Sequence, residues 1–149
     1  MPGTTEDSMA DLNDAAREWL TGRTRAVLIT TRADGSPQSS NVLTAFDGTS
    51  FRVSVTADRA KTRNLARDPR AVVHVVGDDF WSYASVSCQA TLGPVTTTPG
   101  DDAGRALLET YESITGETHT DPDEFFVAMV AEHRLVLTLV PTSVVGSGW

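Results

Sequence analysis

A single lysine, Lys61, and a single cysteine, Cys88, stand in a chain of 149 residues that has only three histidines. One cysteine excludes an internal disulfide. No apolar run approaches the roughly 20 residues that a membrane-spanning helix needs. Met1 to Ser8 are polar, include Glu6 and Asp7, and lack the basic start and apolar stretch of a secretory signal. A cytoplasmic protein is therefore expected. His74, His119 and His133 have none of the short paired spacings of zinc sites, so no metal centre is expected. Gly-x-Ser-x-Gly, Walker-type and Gly-x-Gly-x-x-Gly segments are all missing, which removes sequence support for hydrolase, nucleotide-triphosphatase and Rossmann readings. A net charge of -8 argues against nucleic acid as a partner, because such binding rests on an extended basic face.

What basic charge there is lies concentrated. Arg59, Lys61, Arg63, Arg67 and Arg70 account for five of the twelve basic residues. Like charges this close repel unless an anion sits among them. Phe51 to Thr56 alternates apolar and polar as a half-buried strand should. Asp58 is a candidate N-cap for a helix from Arg59 to Arg67, stopped by Asp68-Pro69. Arg59, Lys61 and Thr62 then fall in a first turn, where free N–H groups and the helix dipole favour phosphate. A solvated helix whose arginines pair with surface carboxylates is the plainer alternative. Cations in a first turn oppose the dipole, however, and slightly destabilise an empty helix.

The rest reads as one small domain over residues 9–149, after a disordered tail over 1–8. Met9 to Leu20 has helical spacing, ended by Gly22. Ala26 to Thr31, Pro37 to Phe46 and Ser50 to Thr56 read as a three-stranded meander with turns at Ala33-Asp-Gly-Ser36 and Asp47-Gly48. Ala71 to Val76, Trp81 to Leu92 and Arg134 to Val140 are further strands, and Ser143 to Val145 can add a bridge. Helices are expected over Asp101 to Ile114 and Asp123 to Ala131. Six strands interrupted by helices suggest a small, mainly β barrel. Cys88 falls on the apolar face of its strand, as a core residue and not a nucleophile.

Gln38, Ser39, Ser40 and Asn41, followed by Val42, give the second strand four consecutive side chains able to bond a heteroaromatic edge. In a meander that strand neighbours the one leading to the basic helix, so a phosphate and a polar ring edge can share one groove. This is the outline of a flavin-like cofactor. One or two charge-assisted hydrogen bonds of about 1.5–3 kcal/mol each, plus a dipole contribution of up to about 2 kcal/mol, fall short of the roughly 8 kcal/mol of micromolar binding. Burial of a ring must supply the rest, and Trp81 and Tyr83 are candidate walls.

Arg25-Ala-Val-Leu-Ile-Thr-Thr31, Asp34-Gly-Ser-Pro-Gln-Ser-Ser-Asn-Val42, Asp58-Arg-Ala-Lys-Thr-Arg-Asn-Leu-Ala-Arg-Asp-Pro-Arg-Ala71 and Trp81-Ser-Tyr83 together resemble the pyridoxamine 5'-phosphate oxidase-like proteins of the FMN-binding split β-barrel. More narrowly, the run is similar to their actinobacterial branch that uses the 5-deazaflavin coenzyme F420. The resemblance implies a homodimer of six-stranded antiparallel split barrels with cofactor sites between subunits. It implies that Arg59, Lys61, Thr62 and Asn64 hold the phosphate, and that Gln38, Ser39, Ser40, Asn41 and Val42 line the ring. Trp81 and Tyr83 would approach from the same cleft, from this chain or its partner, and Arg63, Arg67 or Arg70 would meet the anionic tail of F420. The implied activity is hydride transfer from reduced F420 to a conjugated small-molecule substrate. An FMN-dependent relative, a haem-binding split barrel and a cofactor binder without turnover are the alternatives. The C-terminal Val144 to Trp149 lacks the arginine-containing tail expected of a true pyridoxamine 5'-phosphate oxidase.

Overall fold

The computed structural model describes residues 4–7 and 12–149. In chain order the elements are β1 (Thr4–Asp7), α1 (Asp14–Leu20), β2 (Arg25–Thr31), β3 (Pro37–Leu43), β4 (Ala45–Phe46), β5 (Phe51–Thr56), α2 (Ala60–Arg67), β6 (Arg70–Val76), β7 (Tyr83–Leu92), α3 (Asp102–Thr115), α4 (Pro122–Ala131) and β8 (Arg134–Ser147). All six expected strands are present, the one expected over Pro37 to Phe46 being broken at Thr44 into β3 and β4, and the short β1 is added. Part of the segment expected as a disordered tail is strand: the backbone of β1 pairs with Val144 to Ser147 of β8. The first residues of the expected Met9 helix lie outside the described residues, and α1 starts at Asp14 behind an Asn13 cap.

The sheet runs β3-β2-β6-β7-β8-β5-β4, with β1 also paired to β8. Its two ends belong to one stretch of chain, since only Thr44 separates β3 from β4. A sheet whose first and last strands are consecutive must curl until its edges meet. Thr44 is buried at that junction, its N–H donating to the Thr24 carbonyl at 2.8 Å and its hydroxyl to the Arg52 carbonyl at 3.2 Å. The expected meander is broken at Thr44: β3 pairs with β2 along its length, and only the two residues of β4 pair with β5, whose other neighbour is β8. The barrel is thus split between β3 and β5. In place of a strand plus a separate bridge, β8 is one long strand bent at a bulge, where Cys88 faces Pro141 and Ser87 faces Ser143.

Alternation puts Leu28, Phe51, Val53, Val55, Val73, Val86, Leu137 and Leu139 inside the curl. Leu65 of α2 closes one end and Leu12, Ala16 and Leu20 close the other. Cys88 is in this core, and burial pushes its thiol up to about 12. Helix α3 is capped by Asp101, whose carboxylate accepts from the Gly104 N–H at 2.7 Å and the Thr96 hydroxyl at 2.7 Å, and it ends at Gly116 with φ 73°. Among the described residues no helix is long and apolar enough to cross a membrane.

Two outcomes follow from the packing. Gly146 has no room for a side chain: a Cβ there would run into the Tyr83 carbonyl oxygen and lie 2.6 Å from the Trp149 ring. Gly146→Ala should cost about 3 kcal/mol in a denaturant titration, and a wild-type midpoint would refute the close approach. The Cys88 thiol should resist a thiol reagent at pH 8 in the native protein and react in seconds once unfolded; rapid native labelling would show the core to be open there.

Candidate functional site

Helix α2 folds back over the end of β5. The Thr62 hydroxyl donates to the Thr56 carbonyl at 2.7 Å, and the Arg59 N–H points at the same oxygen at 3.3 Å. The helix starts at Ala60, one residue later than expected, and its cap position is Arg59, whose side chain makes no capping bond. Asp58 is therefore not the N-cap. The N–H groups of Ala60, Lys61 and Thr62 lack intrahelical acceptors, as in any first turn, and no side chain among the described residues caps them. The side chains of Arg59, Lys61 and Arg63 make no hydrogen bond or ion pair among the described residues. Lys61 is half-buried, and burial, then the charges of Arg59 and Arg134, lowers its pKa from the ordinary lysine value.

The other half of α2 is tied down. Asn64, only 6% exposed, donates from Nδ2 to Thr30 Oγ1 at 3.0 Å and to Gln38 Oε1 at 2.9 Å. Its Oδ1 accepts from Arg67 at 3.0 Å, and Arg67 also donates to the Thr31 carbonyl at 3.0 Å. The Asn64 amide is thereby used up in joining α2 to β2 and β3, and the Thr62 hydroxyl proton is spent on Thr56. Gln38, with its oxygen engaged, has its amide N–H groups left to donate. Ser40, two residues on and on the same side of β3, has a buried Oγ without a partner among the described residues, as has Thr56.

Strand alternation divides the expected ring wall. Gln38, Ser40 and Val42 lie opposite Thr30, Leu28 and Ala26, on the inner side of the curl, whereas Ser39 and Asn41 lie opposite Ile29 and Val27 on the outer face. Asn41 and Val42 help line an outer concavity of about 740 Å³ together with His74 and Val76. Trp81 and Tyr83 are farther off still. Tyr83 faces Val76 at one end of β6, and α2 precedes Arg70 at the other. Strand β6 has seven residues and so spans about 20 Å. Trp81 is 51% exposed beside Phe80, and Tyr83 lies against His74 with ring centroids 5.5 Å apart. Of the cations expected to meet an anionic tail, Arg67 is committed as above. Arg70 grips Asp68 through two bonds of 3.0 and 2.7 Å, which holds that carboxyl at about 2. Of these three, only Arg63 has no partner among the described residues.

Sequence reasoning missed Arg134, because nothing local distinguishes the first residue of a late strand; its proximity to Lys61 is purely tertiary. The donors that are present fit a phosphate attached to a polar ring: uncapped first-turn N–H groups, unpaired cations, the Gln38 amide and two buried hydroxyls without partners.

The curled sheet has counterparts of known structure. An F420 reductase shares 23% identity at a TM-score of 0.69, over 89% of this chain and 98% of that one. The haem storage protein HutZ of Vibrio cholerae shares 14% at 0.65, over 93% and 96%. An FMN-binding protein of Nostoc punctiforme, related to pyridoxamine 5'-phosphate oxidase, shares 16% at 0.59, over 86% and 75%. These likenesses establish the split-barrel fold. The family model for pyridoxamine 5'-phosphate oxidase matches residues 12–143, so the chain belongs to the pyridoxamine 5'-phosphate oxidase family.

Proposed function

We propose that this chain binds a phosphate-bearing flavin-type cofactor, FMN or the deazaflavin coenzyme F420, and acts as an oxidoreductase on a small conjugated acceptor. The observation that carries the reading is the set of unpaired cations, Arg59 and Lys61, beside the uncapped start of α2. Like charges held together without a counter-ion raise the energy of the empty site, and an incoming phosphate relieves it. In this reading Arg59, Lys61 and the first-turn N–H groups hold the phosphate. Asn64 holds Gln38 so that its amide N–H groups meet the ring edge, and the unpaired Ser40 hydroxyl adds a further hydrogen bond. The bound cofactor supplies hydride transfer. The chain's residues supply position and exclude water, so no catalytic dyad is required of them.

The choice between FMN and F420 loses one of its supports, since Arg67 and Arg70 already have partners and only Arg63 is free for an anionic tail. Tail length should therefore change affinity little. A homodimer remains the expected form. Trp81 and Tyr83 lie about 20 Å along β6 from α2, and a two-fold pairing through the outer face would bring one chain's Trp81 turn to the partner's helix. Exposed Leu43, Val76 and Val145 on that face support the pairing.

Fluorescence titration of cofactor-free protein tests the reading. FMN and F420 should each bind at least tenfold tighter than riboflavin, and Lys61→Gln should weaken both by about tenfold or more, the worth of one charge-assisted hydrogen bond. Equal affinity for riboflavin and FMN would remove the phosphate site, while a Soret band with haemin and no flavin binding would support the haem alternative instead. In light scattering, wild type should have the mass of a dimer and Val76→Asp that of a monomer with weakened cofactor binding. A wild-type monomer binding cofactor at full affinity would contradict the shared site.

A further inference from the structure

We infer that Arg134 is the third cation of the anion site at α2 and tunes it for a doubly charged phosphoryl group; the inference rests on the flavin-type reading above. Arg134 opens β8 directly opposite Thr56, the residue whose carbonyl anchors the first turn of α2. The turn before it is fastened to the same spot, with the Ala57 N–H donating to the His133 carbonyl at 3.0 Å. The start of β8 and the start of α2 are thus two sides of one corner, separated in sequence but joined through Thr56 and Ala57.

The guanidinium is already held. It donates to Ser54 Oγ at 3.2 Å and to Glu132 Oε1 at 3.0 Å. A fixed fork loses less side-chain freedom on meeting an anion than a free lysine would. Its charge reaches Lys61, since Arg134 is one of the two cations that add to burial in lowering the lysine's pKa. Across the strand pair, the Thr56 hydroxyl is buried with no partner among the described residues. Asp58, in the turn before α2, is exposed, and Glu132 stands two residues before Arg134. Glu132 serves Arg134 and leaves Arg59 and Lys61 without a counter-charge. A phosphate monoester carries about -1.5 to -2 charge at neutral pH, which suits a corner where Arg59 and Lys61 have no counter-charge among the described residues and Arg134, paired with Glu132, adds its donors, better than a singly charged group does.

FMN and riboflavin, which differ in the phosphate alone, separate a ligand-binding role from a bracing one. Arg134→Gln should weaken FMN by about tenfold and leave riboflavin within about twofold, whereas Arg134→Lys should recover most of the FMN affinity. Equal losses for FMN and riboflavin would mean that Arg134 merely braces Ser54 and Glu132, and the inference falls. Lys61→Gln, measured alongside, keeps the two readings apart. If it weakens FMN while Arg134→Gln does not, the cofactor reading stands and Arg134 has no part in it. If wild type binds neither ligand, the cofactor reading fails and takes the inference with it.

Discussion

One buried amide connects the helix that carries the charge to the sheet that carries the polar wall. Asn64 donates to both Thr30 and Gln38 and accepts from Arg67, so a single side chain joins α2, β2 and β3. The tie matters most for β3, which is not a hydrogen-bonded neighbour of β5, since the barrel is split between them; β2 is also held to α2 by the Arg67 bond to the Thr31 carbonyl and by Leu65 in the core. A buried amide with its hydrogen-bonding capacity met is stable, whereas the same amide with one partner removed is costly. The geometry of the proposed cofactor site therefore depends on a residue with no free atom to offer a ligand.

The electrostatics of the corner follow from what is already paired. The chain is acidic overall, yet Arg67 and Arg70 use up nearby acceptors while Arg59, Lys61 and Arg63 do not. Position along α2 accounts for the difference. Its last turn meets Thr31, Asn64 and Asp68, which supply oxygen atoms. Its first turn keeps its own N–H groups uncapped and lies beside the start of β8, which adds Arg134. Positive charge accumulates where the helix dipole is also positive, and the energy of that arrangement falls only when an anion arrives.

Much of the fold is legible along the chain because strand and helix patterns are local. The alternation in Phe51 to Thr56, the β-branched run before Val76 and the caps of α3 all act within a few residues, and the elements appear where those signals stand. The basic segment is legible for the same reason, since Arg59, Lys61 and Arg63 are neighbours in sequence. Asp58 is the local exception. It has the chemistry of a cap, but the backbone turns into the helix one residue later, at Arg59.

Pairing between distant segments is another matter. That β3 leaves β5 and joins β2 alone, that Thr44 closes the curl, and that Arg134 reaches the corner of Lys61 all depend on how the whole sheet bends. The periods, the turns, the concentration of cations and the family resemblance can be read along the chain, because each is written in short stretches of residues. Which cations are left unpaired, which face of β3 each polar residue occupies, and the place of Trp81 at the far end from α2 emerge in the folded chain alone. Those outcomes are set by strand register and by competition for hydrogen-bond acceptors, to which every packed segment contributes at once.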